Sequence, residues 1–165
     1  MGKTSKHLMD AFAGESQANR KYLAYAKQAD KEGHKEVAKL FRAAAAAETV
    51  HAHAHLRVAG GIGKTADNLK DAIAGETHEF KSMYPEMIKD AEAEGEKDAL
   101  RSFTYANEVE EIHANLYQKA LENMDTPEPV DCYYVCGVCG YTVADEKPDK
   151  CPVCGSASKV FEKID

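Results

Sequence analysis

Two tetrapeptides carry the most specific chemistry in the chain, Glu48-Thr49-Val50-His51 and Glu110-Glu111-Ile112-His113. Each is Glu-x-x-His within a helical pattern, so carboxylate and imidazole lie one turn apart on the same face. One such motif is weak, because a charged helical protein contains several by chance. Two facing each other across a bundle interior present two carboxylates and two imidazoles, half of a carboxylate-bridged dinuclear metal site.

Four helices must position them. Leu8, Phe12, Glu15, Tyr22 and Ala26 share one face of a helix expected from about Thr4 to Lys31, ended by Gly33. A second helix, from about Lys35 to Ala59, turns Phe41, Ala44, Ala45, Glu48, His51, Ala52 and His55 to one side, and a Gly-rich loop follows. The third, from about Asp67, carries Leu69, Ala72, Ile73, Glu76, Glu79, Phe80, Met83 and Met87 inward, with a kink expected at Pro85. Beyond Gly95, the fourth runs from about Lys97 to Asn123 with Phe103, Ala106, Glu110 and His113 on its inner stripe.

The helices are two copies of one hairpin. Ala11-Phe12-Ala13-Gly14-Glu15-Ser16 returns as Ala72-Ile73-Ala74-Gly75-Glu76-Thr77 after 61 positions, whereas Gly33 returns as Gly95 and Glu48-x-x-His51 as Glu110-x-x-His113 after 62. Within each copy the lone Glu precedes the Glu-x-x-His by 33 or 34 residues, so the acids lie at similar depth from the hairpin turn. Glu15, Glu48, His51, Glu76, Glu110 and His113 are then the ligand set of a di-iron or di-manganese site. Four carboxylates buried together without cations would cost many kcal/mol.

Glu79 breaks the symmetry. It stands one turn beyond Glu76, where the first copy has Ala18. A fifth carboxylate gives one metal an alternative oxygen ligand to the imidazole of His51, and exchange between the two is expected as the metal's charge changes. Tyr22 and Tyr84 fall on the inner face, with ligand carboxylates as their nearest acceptors.

Thr126-Pro127-Glu128-Pro129-Val130 ends the helical region as a stiff linker. Beyond it, Cys136-x-x-Cys139 and Cys151-x-x-Cys154 form paired knuckles, the signature of a four-thiolate metal site. Their spacing does not choose zinc from iron. About 35 residues cannot build an adequate core alone, so the metal must help fold them. Cys132 stands outside the pattern as a spare thiol. The expected domains are 1–125, a four-helix bundle; 126–130, a linker; and 131–165, a small metal-binding β domain.

A net charge of -7 among 165 residues argues against nucleic acid, whose binding is driven by basic patches. No stretch approaches the roughly 18 apolar residues of a membrane span. Residues 1–7 are not followed by an apolar run, so no signal peptide is expected, and the cytoplasm is the expected location.

The combination of Ala-Gly-Glu15-Ser, Glu48-x-x-His51, Gly-Glu76-Thr-x-Glu79, Met-Tyr84-Pro, Glu110-x-x-His113 and the paired C-x-x-C knuckles resembles the rubrerythrin family over nearly the whole chain. The resemblance implies a mainly α protein, a ferritin-like four-helix bundle followed by a rubredoxin-like Fe(Cys)4 domain. It implies two irons in the bundle and one iron on Cys136, Cys139, Cys151 and Cys154, although either site would accept zinc after heterologous expression. The activity implied is peroxidase: hydrogen peroxide goes to water in oxidative-stress defence, with electrons relayed through the rubredoxin-like iron from an NAD(P)H-dependent reductase or a rubredoxin. His51 and Glu79 would be the exchanging ligands, and Tyr22 and Tyr84 would hydrogen-bond ligating carboxylates. A ferritin-like ferroxidase using oxygen is the alternative function, and a zinc-ribbon adaptor on a structural bundle is a third.

The loop between the second and third helices bears on assembly. Parallel placement of these helices in one bundle requires the connection to cross roughly 25 Å, and a loop of about eight residues reaches at most ~29 Å. A homodimer is therefore expected in which helices one and two of one chain complete their bundle with helices three and four of another.

Overall fold

The computed structural model describes residues 2–165. Its elements are α1 (Lys3–Lys31), α2 (Lys35–Val58), α3 (Thr65–His78), a π-helical turn (Glu79–Met83), α4 (Tyr84–Glu94), α5 (Lys97–Glu122), and then β1 (Tyr133–Cys136), β2 (Thr142–Ala144), a 3-10 turn (Ser158–Val160) and β3 (Phe161–Ile164). This is the mainly α architecture expected, a helical part followed by a small three-stranded sheet. The chain divides into two compact units, Met1–Gly63 and Lys64–Asp165.

In the first unit α1 packs on α2. Ala26, Ala29, Ala38, Ala45 and Ala52 are its buried apolar residues, so the two backbones approach closely. The polar group among them is Asn19, whose side-chain amide donates to the Ala45 carbonyl (2.7 Å) and the Thr49 hydroxyl (2.8 Å). Satisfied in this way, its burial costs little. Tyr22 and Tyr25 pack on Phe41, with ring centroids 6.1 and 5.5 Å away.

The second unit repeats the hairpin: α3 and α4 pack on α5. Tyr84 meets Phe103 at 6.4 Å, as Tyr22 meets Phe41, and both residues stand 62 positions after their counterparts. Just before Pro85, where a kink is expected, the helix widens into the π turn at Glu79–Met83. Proline has no amide hydrogen to give, and a π turn absorbs one extra residue without breaking the helix.

That residue accounts for the change of repeat offset from 61 at Glu76 to 62 at Tyr84 and beyond. It also corrects the inner stripe. A continuous helix would bring Met87 inward, but Met87 is exposed, while Ile88 is half-buried and Ala91 buried. Ile88 and Ala91 are the counterparts of Ala26 and Ala29 in α1, so the register is restored one residue late.

In the Cys module β1 is the central strand, antiparallel to β2 and β3, with Tyr134 opposite Val143 on one side and Lys163 on the other. Its core is Cys136, Cys151 and Phe161, flanked by Tyr134, Tyr141, Val153 and Val160. Such a core is small enough that a metal held by the four thiols would supply much of the folding energy.

Candidate metal centres

Each unit brings together half of the expected bundle ligands. In the first, Glu15, Glu48 and His51 offer ligand atoms within 4.8 Å of one another, and in the second Glu76, Glu110 and His113 do the same. The lone Glu comes from the first helix of each hairpin and the Glu-x-x-His from the second. Glu48 Oε2 lies 3.1 Å from His51 Nδ1, and Glu110 Oε2 lies 2.8 Å from His113 Nδ1. Two donors about 2.1 Å from one ion, at right angles to each other, stand about 3.0 Å apart. The residues therefore fit a metal in each half, with Nδ1 as the histidine donor.

The electrostatics agree with an acid cluster built for cations. Glu15 and Glu48 share a hydrogen bond, which raises the pKa of Glu15 and lowers that of Glu48. In the second half, burial and then the neighbouring Glu110 push Glu76 up to about 7. Glu79 is raised by the same two causes, so it feels the charge of Glu110, although it is not among the residues whose ligand atoms meet within 4.8 Å. Burial raises Tyr84 as well, and the charges of Glu110, Glu79 and Glu76 add to the shift. The packing contact described for the Tyr84 ring is with Phe103. For Tyr22 the aromatic contacts with Tyr25 and Phe41 are the defining neighbours.

The four knuckle cysteines form a third cluster. Cys136 and Cys154 sulfurs are 3.7 Å apart, and those of Cys139 and Cys151 are 3.5 Å apart. These are near the ~3.8 Å edge of a tetrahedron with metal–sulfur bonds of about 2.3 Å, and far from the ~2.05 Å of a disulfide. Each knuckle closes on a glycine whose amide returns to the first cysteine's carbonyl: Gly140 to Cys136 and Gly155 to Cys151, both at 2.9 Å. Both glycines have positive φ (86° and 73°), where a side chain would be strained. Burial raises the Cys139 thiol. Burial opposes ionisation of Cys154 too, but its hydrogen bonding with Ser156 and the neighbouring thiols brings it down to about 6. Cys132, the spare thiol, is buried apart from this cluster.

A rubrerythrin family model matches residues 6–121, and a model described as the rubredoxin-like domain of rubrerythrin matches residues 134–162. The chain belongs to the rubrerythrin family. It is 37% identical to rubrerythrin-2 of Clostridium acetobutylicum, with 96% of this chain and 95% of that protein covered. It is 36% identical to nigerythrin of Nitratidesulfovibrio vulgaris, over 98% of this chain and 86% of that one. A solved structure of mixed-valence nigerythrin matches with a TM-score of 0.58 and 34% identity, covering 99% of this chain and 88% of that chain.

Rubrerythrins are oxidoreductases, and the family pairs a di-iron bundle with a rubredoxin-like iron domain. The carboxylate–histidine groups and the four-cysteine cluster match that pairing. The rubredoxin-like domain implies a redox partner such as a rubredoxin-type electron donor. None of the described helices is long and apolar enough to cross a membrane.

One feature near the site was not legible in the sequence. His113 Nε2 lies 3.0 Å from the Thr142 hydroxyl, which places the Cys module against the second half-site. The partners are 29 residues apart, and no local motif marks Thr142.

Proposed function

We propose that the protein is a non-haem di-iron peroxidase that reduces hydrogen peroxide to water in the cytoplasm, in oxidative-stress defence. The observation that carries this reading is that the second unit holds both a carboxylate–histidine half-site and a four-thiolate cluster, in contact through Thr142 and His113. A ferroxidase that uses oxygen to oxidise and store iron has no use for a one-electron centre beside it. Glu79, a fifth carboxylate beyond the six-ligand set, supports the same reading.

In this reading Glu15, Glu48, His51, Glu76, Glu79, Glu110 and His113 hold two irons, and Cys136, Cys139, Cys151 and Cys154 hold one. Bound ferrous ions would supply one electron each to hydrogen peroxide, which takes up two protons and leaves as two waters. His51 and Glu79 serve as exchangeable ligands, imidazole suiting the ferrous and carboxylate the ferric ion. Tyr84, among Glu76, Glu79 and Glu110, offers its phenolic hydrogen to the carboxylates and fixes their orientation, and Tyr22 does so from α1. The Cys module, residues 131–165, returns electrons one at a time from an NAD(P)H-linked reductase or a rubredoxin. The division of labour follows 1–125 as bundle, 126–130 as linker and 131–165 as electron-transfer module.

The complete site is proposed to form in a homodimer, with α1 and α2 of one chain meeting α3, α4 and α5 of its partner. From His51, α2 continues seven residues to Val58, and α3 begins eleven residues before Glu76. Parallel helices with both motifs at one level would need a connection of about 27 Å at ~1.5 Å per residue. Residues 59–64 reach at most about 25 Å when fully stretched. This loop is shorter than the spacing alone suggested, and it leaves nothing for passing around a helix.

The test is optical. Iron-loaded protein, reduced without oxygen, should regain its red Fe(Cys)4 absorption within seconds of about two equivalents of peroxide per di-iron site, enough to take up the electrons of all three ferrous ions. Oxygen should restore it at least about tenfold more slowly. Recovery with oxygen as fast as with peroxide would favour the ferroxidase, and a colourless tail on the native metal would remove the electron relay altogether.

A further inference from the structure

We propose that Thr142, on β2 of the Cys module, is a positioning residue of the bundle metal centre: it fixes the tautomer and ring orientation of His113. This rests on the reading of Glu76, Glu110 and His113 as metal ligands. The argument is one of hydrogen counting. Thr142 Oγ1 donates its only hydrogen to the Gly140 carbonyl, 3.0 Å away. The same oxygen lies 3.0 Å from His113 Nε2, so there it must accept, and Nε2 must carry the N–H. A neutral imidazole with its hydrogen on Nε2 has a bare lone pair on Nδ1. Nδ1 is the atom turned toward Glu110 Oε2 at 2.8 Å, with Glu76 Oε1 at 3.9 Å. Two lone pairs that close repel unless a cation stands between them, so the geometry set by Thr142 presents Nδ1 as a metal donor.

A second observation shows that this hydroxyl is delivered by a docked surface and not by a stray rotamer. Gly140 packs on Val109, one turn before His113 on α5: a Cβ added at Gly140 would stand 3.7 Å from Val109 Cγ1. Val109 is 2% exposed, among the most deeply buried side chains described. Thr142 is also held at the start of β2, paired with Val135 of the central strand. The knuckle that ends in Gly140 therefore rests on α5 through an apolar contact, and the hydroxyl two residues on reaches the imidazole. His51, the counterpart in α2, has its side chain 56% exposed in the single chain, with no partner for Nε2 described there.

Partners of this kind, beyond the ligands themselves, typically contribute 10–100-fold to metal affinity or activity. The experiment uses the full-length protein loaded with zinc in all sites, which is diamagnetic, and needs no turnover. In the wild type, proton–nitrogen NMR should show a His113 Nε2–H resonance protected from exchange with water. Thr142→Val removes the hydroxyl at nearly equal volume and should lose that resonance, while Thr142→Ser should keep it. A chelator should extract bundle zinc from Thr142→Val at least about tenfold faster than from wild type, with Thr142→Ser close to wild type. Zinc retained on the four cysteines, and unchanged helical content, would show that the variant is folded.

An unprotected Nε2–H in the wild type would overturn the proposal. So would a Thr142→Val protein that holds bundle zinc as tightly as the wild type. Full-length protein that takes up only the zinc of the Cys module would overturn both this proposal and the reading of the bundle site, and so separates the two failures.

Discussion

The two half-sites began as one hairpin, and they differ in three respects. Glu15, Glu48 and His51 stand on uninterrupted helices, with the His51 side chain exposed in the single chain. Glu76, Glu110 and His113 stand beside a π turn, acquire Glu79 as a neighbour, and have the imidazole backed by Thr142 of the Cys module. The first half is the plain copy and the second the elaborated one. In the proposed reading, one inserted residue and one appended domain turn a symmetric ligand set into an asymmetric one, with His51 as the exchangeable ligand and His113 as the fixed one.

The largest effects should come from residues the two halves share. Glu48→Ala and Glu110→Ala should each lower bundle metal content and peroxide turnover by about 100-fold, at the upper end for losses around a metal site. Metal analysis and peroxide-driven reoxidation check this, and a strong loss in only one variant would break the equivalence of the halves.

Glu79→Ala should cost about tenfold in turnover while both metals stay bound, because it removes only the ligand the first half lacks. Placing an acid at the matching position, Ala18→Glu, should not raise turnover. A bolder variant deletes Ser82 from the π turn. Since Glu76 and Tyr84 would then stand in the same relation as Glu15 and Tyr22, the helix should close into an ordinary α-helix and the protein should still fold. Turnover should fall as in Glu79→Ala; a deletion variant with full activity would show that the π turn does not place Glu79.

The smallest effect is one of pH on the metal-free protein. Glu76 is raised to about 7 when folded, so the folded chain binds that proton more tightly than the unfolded one. The contribution of Glu76 to the second unit's stability should therefore be fully present at and below about pH 4.5 and be lost as the pH rises toward 7, a loss that metal binding removes. In the first unit Glu15 and Glu48 shift in opposite directions, and their contributions offset each other. Hydrogen exchange at pH 5 and 7.5 should show the loss in α3, α4 and α5 more than in α1 and α2.

Much of this was legible in the sequence because ligand chemistry is local. Glu-x-x-His needs only one helical turn, a C-x-x-C knuckle only one tight turn, and the repeat aligned the lone acids. The π turn had left a trace as well, since the repeat offset moves from 61 to 62 between Glu76 and Tyr84. Without a reason to place that extra residue, a continuous 3.6-residue stripe assigned Met87 inward where Ile88 belongs. The helix ends shifted by one or two residues, because capping here uses no side-chain hydrogen bonds that a sequence could advertise. The contact of Thr142 with His113 was invisible for a different reason: it joins two domains, and a threonine in a strand has many ordinary uses.

The central claim is that a working site combines unlike halves from two chains. Co-expressing a chain that carries Glu48→Ala and His51→Ala with a chain that carries Glu110→Ala and His113→Ala tests it directly. Each variant alone should be inactive. In exchanged dimers, one of the two sites of every mixed dimer would receive both intact halves, so random pairing should restore about a quarter of wild-type bundle metal and peroxide turnover. A mixture as inactive as its two parents, with mixed dimers shown to be present, would contradict the account.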